Sequence, residues 1–398
     1  MVIACLASIL NIPKEYFDSS DTTCQIHLPA RYGGIGLSSA LGSRSSAYWA
    51  SWADVLPSLH ERVPDFSACF MPAMIRLAID AYAFHQHSAL RNLHEAAQQI
   101  QSEGFHDIPA WIALVQGSQP VDADADNAEP DEGRKGWQRE ASKHRNRTQH
   151  SHLLSSLGNT GQARLRSSSG PNAARWLWAI PHEQALTIDS AVFRSACCRR
   201  LGLPMQCVED ACEGCGIPLD EMGYHRLTCM RTGRVQCRHK HIIKGWRRIF
   251  REAGVNIPDR NVERTLGTTH IRRSPQDLRR MDLICEGIDG VFGGAPLFMD
   301  ATLVSPLHGN GTPMPRSATE DGAAVGRADK KNKEVDYADV EASPHAQLLC
   351  LGVETYGRWS SHSLQLIRQL VKHKCSNLPP YLEKSMQHSY YGRWWSLL

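Results

Sequence analysis

Four residues constrain this chain more than any others: Cys212, Cys215, His225 and Cys229, in the spacing Cys-x2-Cys-x9-His-x3-Cys. Two cysteines two residues apart hold one metal from a tight turn, and Gly214 and Gly216 supply the backbone freedom such a turn needs. A second pair three residues apart fits one turn of a helix. Three thiolates and one imidazole complete a tetrahedral shell with no position left for water, so the spacing predicts a structural zinc site. The absence of an open position argues against a catalytic zinc, and the following His and Cys argue against a redox Cys-x2-Cys pair. Cys207, Cys237 and His239 are near enough to stand in for a ligand.

The rest of the cysteine usage agrees with a metal. There are 13 cysteines, Cys197 and Cys198 are adjacent, and five others fall within 207–237. Such clustering, without a basic leader ahead of the apolar start, points to metal binding in a reducing compartment and not to disulfides. No run of apolar residues is long enough to span a bilayer, so no membrane is expected. The length of 398 residues predicts two or three domains, with cores made from an apolar fraction of 42%. A net charge of +3 says nothing by itself about nucleic acid.

Along the chain, 1–115 reads as helical. Tyr48, Trp49, Trp52, Val55, Leu56 and Leu59 fall at helical spacing, after a loop punctuated by Pro29, Gly33, Gly34 and Gly36. An acidic then basic linker is expected over 116–152. Residues 119–133 carry six acids and two prolines, and the basic part that follows reads equally as a helix or a flexible arm. A helical connector is expected over 153–206, the zinc knuckle over 207–237 and a last domain over 238–398. In that domain, 238–254 predicts a helix with Ile242, Ile243, Trp246, Ile249 and Phe250 on one face and Gly254 closing it. Strands are expected at 280–285 and 295–304, joined as a hairpin through glycine-rich sequence. Residues 308–327 read as loop, and 328–340 and 361–374 as helices. The fold class is therefore α+β, multidomain, with a helical first half.

Two features bear on function. From Arg226 to Arg251 there are nine Lys or Arg and no acid. Lys240, Lys244, Arg247, Arg248 and Arg251 lie opposite the apolar stripe, a one-sided arrangement suited to tracking phosphates. Separately, Asp282 and Asp300 each interrupt an apolar strand. A carboxylate in such a position is costly unless paired or bound to a cation; the alternative is that both point to solvent at strand ends. Two on adjacent antiparallel strands can share one Mg²⁺, with Glu263 as a third ligand and Lys330, Lys331 or Lys333 near the reacting water.

In this order the features resemble the C-terminal part of non-LTR retrotransposon polyproteins of the restriction-like-endonuclease type. CEGCGIPLDEMGYHRLTC is similar to their zinc knuckle, and Arg238-His239 to the Arg-His pair after it. EAGVNIPDRNVE ends on Glu263 where that family has an acid. RRMD resembles Arg-Pro-Asp, FMDATLVSPL the second metal-binding strand, KKNKEVDY the Lys-x3-Tyr helix, and GVETYGRW the closing segment. Upstream, LPARYGGIGLSSALGSRSSAYWASWADVLPSL is similar to a reverse-transcriptase thumb, and RLRSSSGPNAARWLWAIP and CCRRLGLP to linker helices.

The resemblance implies a PD-(D/E)-x-K nuclease domain with Asp282, Asp300, Glu263, Lys333 or Lys330 and Tyr337 in its site. It also implies structural zinc, catalytic Mg²⁺ or Mn²⁺, DNA and element RNA as partners, Arg238 and His239 on the nucleic-acid face, and the nucleus as location. Three features depart from the pattern: Met281 stands in place of proline, Thr302 in place of a lysine two residues after Asp300, and no polymerase palm is found. The expectation is a polyprotein fragment that nicks DNA but does not polymerise. The alternatives are an inactive nucleic-acid-binding remnant and a zinc-stabilised protein-interaction module.

Overall fold

The computed structural model describes residues 2–79, 88–120, 136–181, 183–205 and 210–398, so the acidic stretch over 121–135 and Cys207 lie outside the described residues. The chain is mixed α+β, with helices throughout and a small sheet. Helices α1 (Val2–Leu10), α2 (Ser20–His27), α3 (Ala40–Arg62), α4 (Pro64–Ile79), α5 (Ser88–Ser102), α6 (Trp111–Val115), α7 (Trp137–Ser156), α8 (Asn159–Ser168), α9 (Ser190–Leu201) and α10 (Tyr224–Thr228) precede the sheet region. Two compact units form. One joins residues 1–26, 30–35 and 156–398; the other comprises 27–29 and 36–155.

The second unit is an all-helical cluster. Trp49, Ala53 and Leu56 of α3 are buried at i, i+4 and i+7, so the helix presents one stripe to its neighbours while Val55 stays exposed. Phe70, Leu93, Leu114 and Trp137 fill the space around that stripe. Trp49 meets Phe105 and Trp137 edge to face at 5.8 and 5.7 Å. The basic stretch after 136 is the α7 helix, not a loose arm.

The larger unit is organised by a sheet. After α11 (Arg234–Ala253) come β1 (Val262–Thr265), β2 (Arg280–Cys285), β3 (Leu297–Asp300) and β4 (Leu303–Val304). A long loop leads to α12 (Ala323–Lys331), a π turn over Asn332–Asp336, α13 (Ala338–Glu341), β5 (Gln347–Cys350), β6 (Val353–Glu354), α14 (Ser361–Cys375) and α15 (Pro380–Leu397). The four-stranded order is β1-β2-β3-β5, antiparallel except for the parallel β3–β5 pair, which is reached by the crossover through α12 and α13. The parallel pair β4–β6 continues β3–β5 past a break just after Asp300.

Both sheet faces are covered, which is why β2 and β3 read as near-continuous apolar runs. Leu283, Leu297, Met299 and Leu349 pack under α11, α14 and α15, with Trp246, Leu366 and Trp394 in the same core. Ile284, Phe298 and Leu348 on the other face meet Leu266 and Val340. The expected helix at 238–254 starts earlier, at Arg234. Residues 308–327 are helical from Ala323, and α15 was not anticipated because its apolar residues follow no single stripe.

Glu252 ties α11 to α15. Its carboxylate accepts from Arg248 Nε (3.0 Å), Arg393 Nε and Nη2 (2.9 Å each) and Trp394 Nε1 (3.0 Å). Partial burial opposes its ionisation, but these donors win and draw it down to about 2. A depressed carboxylate stabilises the fold fully above its unfolded value of about 4.3 and loses that effect as pH falls towards 2. Glu252→Ala is expected to cost about 2 kcal/mol at pH 7 by removing the acceptor of four N–H groups from three residues. Urea unfolding at pH 7 and at pH 3 measures it, and the difference from wild type is expected to shrink at the lower pH.

Candidate functional site

The four cluster residues come together from two short elements. Cys212 and Cys215 sit on a turn closed by the Cys212 N–H to Ile217 O bond (2.8 Å) and the Gly216 N–H to Cys212 O bond (2.8 Å). Gly216 has φ +73°, and a Cβ on Gly214 would lie 2.9 Å from the Arg231 carbonyl carbon, so neither position takes a larger residue without strain. Asp220 carboxylate oxygens accept from the N–H groups of Tyr224 (2.9 Å) and His225 (3.0 Å), which starts α10 and places His225 on its first turn. Cys229 follows the helix.

The ligand atoms all lie within 4.8 Å of one another. Sγ–Sγ distances are 3.7 Å for Cys212–Cys229 and 3.9 Å for Cys215–Cys229. A tetrahedron with Zn–S bonds of about 2.3 Å has edges of about 3.8 Å, so the spacing fits a zinc ion. His225 Nε2 lies 3.1 Å from Cys215 Sγ. The Gly214 N–H draws the Cys212 thiol down to about 6, the thiolate side of neutrality that metal ligation needs. Cys237 is exposed beside His241 and His239 points elsewhere, so neither replaces a ligand.

The second set of residues lies where β2 and β3 meet. The β2–β3 register pairs Leu283 with Met299; one step further along it, Asp282 stands opposite Asp300. The Ala301 N–H donates to Asp282 Oδ2 at 2.7 Å, so this carboxylate crosses to the neighbouring strand. Asp300 Oδ2 accepts from Thr302 Oγ1 and from Asn332 Nδ2 (2.7 Å), and Tyr337 Oη lies 3.5 Å from Oδ1. Burial, and then the charge of Asp282, raises Asp300 above the usual carboxylate range. Partial burial, and then the same two acids, push the Tyr337 hydroxyl up. The reading that both acids merely face solvent is set aside by this geometry.

His239 belongs to this group. Its Nε2 lies 3.1 Å from Asp282 Oδ2, and that contact raises its pKa. The resemblance implies His239 on the nucleic-acid face; in the structure it faces Asp282 instead. The charges of that face are also less free than the sequence implied. Arg247 pairs with Asp259 and Arg248 with Glu183 and Glu252, acids outside the 226–251 window. Lys240, Lys244 and Arg251 are exposed, and Arg238 donates to Leu227 O at 2.6 Å.

The lysines divide sharply. Lys333 Nζ lies 3.1 Å from Asp329 Oδ2 and 3.4 Å from His362 Nε2. The Cys350 N–H donates to His362 Nδ1 at 3.2 Å, and Cys350 is the β5 partner of Asp300. Lys333 thus stands one residue and one imidazole away from Asp300. Lys330 is exposed against Glu334, and Lys331 pairs with Asp336. Lys333 and Tyr337 are four positions apart, and the turn that joins them is a π turn over Asn332–Asp336 and not a regular α-helix. Tyr337 donates to Arg280 O at 2.7 Å.

Glu263 is in β1, not in a helix. It is exposed at φ +49° and joins neither carboxylate by a hydrogen bond. Asn332, Asp329 and His362 were not singled out from sequence, and Thr302 was named only as a departure from the lysine of the motif. Thr302 and Asn332 carried a usable signal, since both neighbour residues that were singled out. Asp329 and His362 lie 33 positions apart and are joined only by the fold. No protein-family model and no curated protein matches this chain.

Proposed function

We propose that the chain is a metal-dependent DNA endonuclease of retrotransposon type, without a polymerase core, whose knuckle holds structural zinc. The observation that carries this is the cross-strand pair Asp282–Asp300, with a raised Asp300 inside an otherwise apolar sheet. A carboxylate that burial and a like charge both disfavour is one whose ionised form a divalent cation restores. Asp282 and Asp300 would hold Mg²⁺ or Mn²⁺, which supplies charge neutralisation at a phosphodiester and a more acidic water. Thr302 and Asn332 orient Asp300, and His239 orients Asp282 through its Nε2 contact. Lys333, held by Asp329 and His362, is the nearest ammonium. Exposed Lys240, Lys244 and Arg251 would contact phosphates of DNA or element RNA. A nuclear location follows from this reading.

The experiment is nicking of a supercoiled plasmid by the zinc-loaded chain with Mg²⁺ or Mn²⁺. Asp282→Ala is expected to reduce nicking more than about a hundredfold, equal to about 2.7 kcal/mol of barrier. Lys333→Ala is expected to reduce it by a smaller factor. Equal nicking by all three proteins sinks the site. A second reading, an inactive nucleic-acid-binding remnant, is favoured by Thr302 standing where the parent motif has lysine; DNA binding with no nicking in any metal would support it.

A further inference from the structure

Within the larger unit, α9 and α11 face the turn at 175–178 and the segment after β6 across a cavity of about 410 Å³. Among the described residues its arginines come from three places: Arg199 and Arg200 from α9, Arg238 from α11 and Arg175 from the turn. Its flat apolar surface comes from Trp176 and Trp359, both partly exposed. Among the described lining residues Glu354 alone is acidic, and its Oε1 is already taken by the N–H groups of Ala324 and Val325 at 3.1 Å each. Arg200 is buried and donates to the carbonyls of Gly34 and Ala30, while its Nη1 has no acceptor among the described residues. Arg238 likewise rests on a carbonyl, that of Leu227, and not on a carboxylate. Burial, and then Arg199, lowers Arg238, and burial pulls Arg200 down to about 9. The wall is therefore short of negative charge, and an anion entering it would relieve that cost.

We propose that this cavity binds one unpaired nucleotide of a nucleic-acid strand, with its phosphate on Arg199 and Arg238 and its base against Trp176 and Trp359. The size suits one nucleotide and excludes a base pair. Indole faces accept any base by stacking, and arginines take the phosphate. Arg238 borders this cavity, and His239, the next residue of α11, faces Asp282. The assignment of the ligand rests on the nucleic-acid reading above.

The test is fluorescence anisotropy of a labelled eight-nucleotide single-stranded DNA with the full, zinc-loaded chain and no other divalent cation. Arg238→Gln and Trp176→Leu are each expected to weaken binding about tenfold, the size of one lost stacking or phosphate contact. Arg238→Gln should also lower the salt slope by about one, and Trp176→Leu should leave the slope unchanged. Lys372→Gln, on α14 and exposed, is the control. Arg199→Gln replaces Arg238→Gln if that variant does not fold by circular dichroism. Competition by dAMP but not by inorganic phosphate at equal ionic strength supports the site, and equal competition by both overturns it. Affinities of the folded variants within twofold of wild type also overturn it. Because no catalytic cation is present, a protein that binds this way yet never nicks DNA costs only the nuclease reading. One that nicks with unchanged variant affinities costs only this one.

Discussion

Cys229→Ala is expected to release zinc and melt the knuckle, the largest stability change available from a single residue here. Three donors remain, and at a structural site each missing thiolate exposes the ion to water and weakens a bond set that carries its own folding energy. The knuckle has little else to hold it. Its own buried side chains are few, and α10 is five residues long, too short to persist alone. The expected result is one zinc per wild-type chain by atomic emission, none retained by the variant after dialysis, and a loss of several kcal/mol in local stability. Hydrogen exchange should rise across 211–232 and stay low in the β2–β3 core, which packs without the metal. Full zinc occupancy with unchanged exchange would falsify the assignment. The site should also lose zinc as pH falls, since protons compete for the thiolates.

Asp300→Asn is expected to do two opposite things, and the opposition is diagnostic. Asp300 is largely buried with a raised pKa, so folding works against its ionised form. A raised carboxylate contributes stability that is fully present below its unfolded pKa and is lost as pH rises through its folded pKa. Asparagine removes the cost of the ionised form at pH 7. Its oxygen can accept the Thr302 hydroxyl and the Asn332 amide, which both go to one carboxylate oxygen, and its NH₂ then faces Tyr337 Oη. Without divalent cation the variant should therefore melt a few degrees above wild type, since about 1 kcal/mol moves Tm by a few degrees in a chain of this size. Under the proposed function, adding Mg²⁺ or Mn²⁺ should raise the wild-type Tm and not the variant's, and plasmid nicking by the variant should drop more than about a hundredfold. A variant that melts lower than wild type without metal would mean that Asp300 is ionised and well solvated, and the metal-site reading would lose its basis. Scanning calorimetry with and without the cation reads both effects.

The parts of this molecule legible in the sequence are those whose physics is local. The Cys-x2-Cys turn, the His-x3-Cys helical turn and the apolar stripe of α11 depend on residues within a few positions of each other, and each is present. The pair Asp282 and Asp300 could be noticed because an acid breaks an apolar strand visibly. Their facing each other could not, because it needs the β2–β3 register, which the Ala301–Asp282 hydrogen bond expresses across the strands.

Charge misled where neighbours in space were distant in sequence. Nine uncompensated cations between 226 and 251 became fewer once Glu183 and Asp259 arrived from outside the window. His239 changed sides for the same reason: helical periodicity set its direction, but only the packing of α11 on the sheet determined that the direction ends at a carboxylate. Cys212, Cys215, His225 and Cys229, by contrast, converge as their spacing implied, because four donors within 18 residues need no tertiary partner to meet. The sequence by itself determined the metal knuckle and the amphipathic helix beside it. Tertiary structure alone decided which acids meet, which cations stay free and where Lys333 rests, since those depend on electrostatic contacts between strands and helices that chain distance does not encode.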